Sequence, residues 1–195
     1  MKSIVLASGN PGKKAELEAL LEPLGTRVVT QVELGVSEAD EPHESFLENA
    51  LAKARHVSFA TRLPVLADDS GLCVDALGGA PGVQSARYAG EPRSDTRNNE
   101  KLLFEMKEKN NRSAHYVCVL VLVRGPGDLQ PLIAQAEWHG EIARSPRGSG
   151  GFGYDPYFYV KELGKTAAEL DPAEKNRISH RGQALQKLLA LLKNA

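Results

Sequence analysis

The short apolar run Ser3-Ile4-Val5-Leu6-Ala7 is cut off by Ser8-Gly9-Asn10-Pro11-Gly12-Lys13, after which Leu17, Leu20, Leu21 and Leu24 return at helical spacing. No other stretch of the chain constrains the fold as tightly. The run reads as a buried strand, the Gly-Asn-Pro-Gly segment as a turn, and residues 13–24 as a helix closed by Gly25. Residues 27–31 follow as a second strand. A chain that opens strand, turn, helix, strand is building an α/β layer structure.

The remaining pattern extends that reading. Residues 38–44 are acidic and broken by Pro42, which predicts a loop. Residues 45–60 read as a helix, with Ser45 as N-cap and Glu48 three residues on, in the capping-box position. Residues 65–67 are a short buried strand ending in Asp68-Asp69-Ser70-Gly71. Residues 94–109 read as a helix with Leu102, Leu103 and Met106 on its apolar side. Residues 114–123 and 132–138 are the best strand candidates, and the Arg-Gly-Pro-Gly-Asp turn at 124–128 joins them as an antiparallel hairpin. The glycine-rich segment 148–153 precedes Asp155-Pro156. Residues 179–193 carry Ala184, Leu185, Leu188, Leu189 and Leu192 on one helical face. The whole predicts a single α/β domain over residues 1–195 with a mixed central sheet flanked by helices.

Composition narrows the function classes. With 24 Lys+Arg against 25 Asp+Glu the net charge is −1, so no broad basic face is available to hold duplex DNA, and no nucleic-acid partner is expected. The longest apolar run, residues 116–123, falls far short of the roughly 20 residues that a bilayer requires, and the N-terminal apolar stretch is too short for a signal peptide. Cys73 and Cys118 form no CxxC and read as reduced core residues of a cytoplasmic protein.

In α/β folds ligands collect where strands end and helices begin, and two polar loops fit that description: residues 8–13 and 68–71. Backbone N–H groups at a helix start, together with Lys13, make a phosphate cradle, although the same segment serves as a plain turn. It lacks the Walker A spacing. Asp68 and Asp69 would point to opposite faces if the strand continued, so one would face a given cleft. A strand-end carboxylate near a phosphate loop suits Mg²⁺, with Glu38, Asp40, Glu41 and Glu44 offering a second carboxylate. Lys53 shares an apolar stripe with Phe46, Ala50 and Val57, so it either snorkels or points into a phosphate-lined cleft. Phe152 and Tyr154 stand on a flexible loop where an aromatic can stack on a base, or else they are core anchors. Lys175, His180 and Arg181 gather three donors near the last helix. No HExxH, CxxC or GxSxG is present.

Taken together and in order, these motifs are specific. Ser-Gly-Asn-x-x-Lys at 8–13, Ser-Phe-x-Glu-Asn-Ala at 45–50, Ala-Asp-Asp-Ser-Gly-Leu at 67–72, Pro-Gly-Val-Gln-Ser-Ala-Arg-Tyr at 81–88, Gly-Gly-Phe-Gly-Tyr-Asp-Pro at 150–156 and Ser-His-Arg at 179–181 resemble the inosine triphosphate pyrophosphatase family, also called the XTP/dITP diphosphatases. Ser8 and Ser45 stand where threonine is also common. The resemblance spans essentially the whole chain. It implies two lobes with the active-site cleft between them, a homodimer, and Mg²⁺-dependent hydrolysis of ITP, dITP and XTP to monophosphate and pyrophosphate. It implies that Ser8, Gly9, Asn10, Pro11, Gly12 and Lys13 hold phosphates, with Lys53 and Arg87 assisting. Asp69 is implied as Mg²⁺ ligand and proton acceptor, Glu41 as second metal ligand and Ser70 as substrate contact. Phe152, Gly153, Tyr154, Asp155, Lys175, His180 and Arg181 are implied to bind the base. Two alternatives stand beside this: the septum-inhibitor type of nucleotide pyrophosphatase, which the 150–156 and 179–181 segments fit poorly, and a nucleotide sensor that binds without catalysis.

Overall fold

The computed structural model describes residues 3–193. β1 (Ser3–Ala7) leads through α1 (Pro11–Leu21) into β2 (Arg27–Thr30), and the two strands pair in parallel. The chain then passes through α2 (Phe46–Thr61) to β3 (Val65–Val74), which pairs in parallel with the other edge of β1. After α3 (Asp95–Glu105) come the long β4 (Ser113–Val123) and β5 (Leu132–Ile142). The short β6 (Phe158–Val160) and β7 (Lys165–Thr166) precede α4 (Pro172–Ile178) and α5 (His180–Lys193). The strand order is β2-β1-β3-β4-β5-β6-β7, with β5–β6 and β6–β7 antiparallel. This is the mixed sheet flanked by helices that the sequence predicts. No helix among the described residues is long and apolar enough to cross a membrane.

Because β2 and β3 lie on opposite sides of β1, the order reverses there, and the end of β1, beside Ala67 of β3, is a topological switch point. Helix α1 begins two residues earlier than its leucine pattern suggests. Asn10 caps it by accepting from the Lys13 N–H at 3.1 Å, and Pro11 takes the first helical position. Lys13 therefore belongs to the first turn of the helix. At the far end a 3₁₀ turn intervenes before Gly25 closes the segment at φ 64°.

The two carboxylates at the end of the apolar run do not end β3, as the sequence reading expected. The strand runs on to Val74, with Asp68 and Asp69 both buried. Turn-forming residue types gave a false stop here, because partners from other elements compensate both side chains (described below). Strands β6 and β7, at three and two residues, are too short to carry a period and had no counterpart in the sequence reading. Of the two free cysteines Cys118 is buried, but Cys73 is only half-buried and so is not a core residue.

The chain forms two compact units. The first comprises Met1–Asp69, Cys118–Ala136 and Arg181–Ala195; its core is built from Leu6, Leu17, Leu66, Leu120 and Leu122, closed by Ala184, Leu185 and Leu188 of α5. The second comprises Ser70–Val117 and Glu137–His180, around Leu72, Leu102, Met106, Trp138 and Phe158.

Helix α2 starts at the expected residue. The Ser45 hydroxyl oxygen accepts from the Glu48 N–H at 3.2 Å, while its O–H donates to the Glu48 carboxylate at 2.6 Å. Ser45→Ala removes both and should lower stability by about 0.5–2 kcal/mol, read by urea unfolding; an unchanged midpoint would show that α2 needs no cap.

Candidate active site

Asp68 and Asp69 are consecutive on β3, so their side chains leave opposite faces, and each meets its own cations. Asp68 is wholly buried. Its carboxylate lies 2.6 Å from the Lys13 ammonium and 2.7 Å from Nε of Arg181, and the Cys118 thiol donates to it at 3.3 Å. Arg181 also donates to Glu16, one turn along α1 from Lys13. Burial by itself would raise the Asp68 carboxyl, but Arg181 and Lys13 outweigh it and hold the group well below the usual carboxylate range. Burial, reinforced by the charge of Asp68, pushes the Cys118 thiol well up, so it stays protonated and donates.

Asp69 faces Lys53. The Lys53 ammonium sits 2.6 Å from Asp69 Oδ1, 2.9 Å from Glu41 Oε1 and 3.0 Å from the Asp68 carbonyl oxygen. At 8% exposure this lysine does not snorkel; the apolar stripe of α2 carries it into a carboxylate pair. One ammonium thus lies between two carboxylates. Burial works against the Lys53 ammonium, yet Asp69 and Glu41 outweigh it and raise its pKa. Burial also raises the Asp69 carboxyl, which Lys53 and Lys13 pull back only in part.

Asp69 Oδ2 is buried and takes no hydrogen bond from the protein. Such an orphan is uncommon and calls for a partner from outside the chain. Mg²⁺ prefers hard oxygen ligands, one or two of them carboxylates, with water and substrate oxygens completing the shell. Asp69 and Glu41 fit that requirement. Among the described residues no group of three or more His, Cys, Asp or Glu side chains is arranged to hold a metal.

The 8–13 loop is ordered by its own side chains. The Ser8 hydroxyl accepts from the Asn10 N–H at 3.1 Å, and Asn10 caps α1. At Gly9 the backbone comes so close to Glu38 that a Cβ would fall 2.7 Å from its carboxylate oxygen. Thus Ser8 to Lys13, Lys53, Asp69, Glu41 and Arg181 all belong to the first unit.

The second unit holds the other sequence-derived candidates. Asp155 is buried and accepts from Lys175 at 2.5 Å, from the Phe152 N–H at 2.9 Å and from the Tyr116 hydroxyl at 3.3 Å. Gly151, at φ 71°, is required there, because a Cβ would lie 2.0 Å from Asp155 Oδ2. The Lys175 ammonium sits 5.1 Å from the centre of the Phe152 ring. The His180 ring stacks on Tyr116 at 4.6 Å and 9°. Tyr154 is buried, its hydroxyl donating to the Ser85 carbonyl at 2.8 Å. Ser70 on β3 and Arg87 at the end of the 3₁₀ turn Gly82–Arg87 are half-buried. The sequence groups Arg181 with Lys175 and His180; in the structure its guanidinium lies on Asp68 and Glu16.

A model of the Ham1 family matches residues 4–191, nearly the full described length. The chain belongs to the Ham1 family. A dITP/XTP pyrophosphatase of Nitrosomonas europaea is 63% identical over 192 residues, covering 98% of this chain and 95% of that one. A protein of the same name from Ralstonia nicotianae is 61% identical, covering 99% and 98% of the two chains. The solved structure of a HAM1 protein from Coxiella burnetii aligns with a TM-score of 0.90 at 50% identity, over all of both chains.

In this Ham1-family chain the sequence reading passed over Asp68, Glu16, Tyr116 and Cys118 as site residues. The carboxylate at 68 was visible, but its partners lie as far as 113 residues away, and no spacing rule connects them. Removing one member of a buried ion pair leaves the others uncompensated, at about 3–5 kcal/mol. Asp68→Ala should therefore lose most of the protein's stability in denaturant unfolding. Should it unfold at the wild-type midpoint, the network contributes nothing to the fold.

Proposed function

We propose that this chain hydrolyses the purine nucleoside triphosphates ITP, dITP and XTP to the monophosphate and pyrophosphate in an Mg²⁺-dependent reaction, clearing deaminated purines from the nucleotide pool. The observation that carries the reading is the Asp69–Lys53–Glu41 group near the switch point of the sheet, with its orphaned carboxylate oxygen. The relatives named dITP/XTP pyrophosphatases support the substrate class.

Asp69 and Glu41 would hold Mg²⁺, which when bound supplies charge neutralisation at the triphosphate. Asp69 takes the proton from the water that attacks the α-phosphorus in line with the departing pyrophosphate. A carboxyl raised by burial is the better proton acceptor for this task. Lys13, Lys53 and Arg87 balance the phosphate charge, and residues 8–12 bring hydroxyl and backbone donors to it. Ser70, next to Asp69, contacts the substrate.

Phe152 stacks on any purine and supplies affinity without choice. Choice comes from polar groups. Lys175 and His180 donate to the 6-oxo acceptor of a keto purine, and Asp155 accepts from its N1–H, while Arg181, which the sequence groups with them, is held by Asp68 and Glu16. Adenine reverses both features, with a 6-amino donor and a bare N1. Buried polar groups left unpaired by the wrong base give discrimination on the order of 10⁴. The reading also carries a homodimer and a cytoplasmic location.

The test is pyrophosphate release from ITP, dITP, XTP and ATP, with Mg²⁺ or with chelator. We expect kcat/KM for the keto purines to exceed that for ATP by several orders of magnitude, and chelator to abolish turnover. Equal hydrolysis of ATP and ITP, or binding without pyrophosphate release, overturns the reading. Asp69→Asn should fold normally and lose roughly 10²–10⁴-fold in kcat. Turnover near the wild-type rate in that variant would leave Asp69 a structural residue.

A further inference from the structure

Helix α3 contains three polar residues that its apolar pattern does not explain. Asn98 and Asn99 are buried, at 2% and 8% exposure, and Asp95 lies one turn before Asn99. Asparagine is disfavoured inside helices because its side chain competes for backbone hydrogen bonds. Here both amides reach for backbone outside the helix. Asn98 donates to the carbonyls of Ser85 and Ala86, at 3.3 and 3.0 Å, and accepts from the Ala89 N–H at 2.8 Å. Asn99 donates to the Gly153 carbonyl at 2.9 Å, and Asp95 accepts from the Gly153 N–H at 2.7 Å.

Positions i and i+4 share one helix face, so Asp95 and Asn99 close on the same residue from one side. Between them they engage both polar atoms of its backbone. Gly153 sits at φ 62°, so the pair holds a residue in the left-handed conformation. The Asn99 Oδ1 is buried without a hydrogen bond, and turning the amide round would set that oxygen against the Gly153 carbonyl. An asparagine that leaves a buried acceptor unmet is poorly chosen for stability alone. Its placement makes sense if the position of Gly153 is what matters.

We propose that Asp95 and Asn99 are positioning residues that fix loop 152–155 by gripping the Gly153 backbone, and so set the orientation in which the loop meets a purine base. The inference rests on the assignment of that loop to base binding in the proposed function. Neither side chain touches the reacting phosphates; each acts through the loop. Asn98 does the equivalent for the 85–89 segment, and the Ser85 carbonyl that it engages also accepts from the Tyr154 hydroxyl.

The test uses Asp95→Ala, Asn99→Ala, Asn99→Asp and the conservative Asp95→Asn in the full chain. Two readouts are taken: amide hydrogen exchange across residues 151–155, and steady-state kinetics with XTP. Both alanine variants and Asn99→Asp, which turns a carboxylate on the Gly153 carbonyl, should speed exchange in the loop. They should raise KM for XTP by roughly tenfold, the scale of one hydrogen bond with a charged or buried partner. The kcat should move less than KM, and inhibition by inorganic pyrophosphate, which has no base, should not change. Asp95→Asn keeps an acceptor and should restore KM most of the way. Unchanged exchange overturns the grip. Faster exchange with an unchanged KM in an active protein overturns the positioning role. A wild-type protein that hydrolyses none of the triphosphates defeats the functional reading instead, and the exchange data still decide the grip.

Discussion

A wholly buried, ionised carboxylate is among the most unfavourable groups a protein can contain unless cations and donors surround it, and Asp68 is such a group. Its compensation recruits Lys13 from the first helix, Arg181 from the start of the last, and the Cys118 thiol from the middle strand of the chain. Three segments that share no sequence neighbourhood are drawn to one residue. The first unit is thereby held in register round the middle of β3, and Asp69, the next residue along, is turned to the opposite face to meet Lys53. Without a neutralised Asp68 there would be no fixed platform for Asp69.

The two carboxylates divide the labour of their strand. Asp68 is paired directly with two cations, Lys13 and Arg181. Asp69 shares one ammonium with Glu41 and keeps a buried oxygen unmet. The first arrangement is structural and the second is poised for a ligand, although the side chains are chemically identical and adjacent. Environment alone separates them, through the number of cations in direct contact.

Much of this was legible before any coordinates. The opening βα units, the Ser45 cap, the leucine face of the last helix and the glycine loop at 148–153 follow from period and turn chemistry, and the ordered motifs carried the family resemblance. What escaped was whatever depends on partners distant in the chain. Asp68-Asp69-Ser70-Gly71 reads locally as a stop, because the cations that let the strand run on come from residues 13, 53 and 181. Arg181 reads as one of three neighbouring donors, because nothing in Ser-His-Arg announces Asp68. Helix α3 shows its apolar side through Leu102 and Met106, whereas the reach of Asn98 and Asn99 toward other loops is invisible without knowing which loops lie near. Strands of two and three residues carry no period at all.

The discontinuity of the first unit bears on how the chain is made. Synthesis runs from the N-terminus, and Arg181 follows Asp68 by 113 residues. At about 5–20 residues per second that interval is on the order of ten seconds. The second unit contains nothing beyond His180, whereas the first is completed only by α5. For that interval Leu6, Leu66 and Leu120 wait for the leucines of α5, and Asp68 waits for its guanidinium. Helix α5 thus acts as a latch on β1, α1 and β3, and the first unit stays open until that helix is in place.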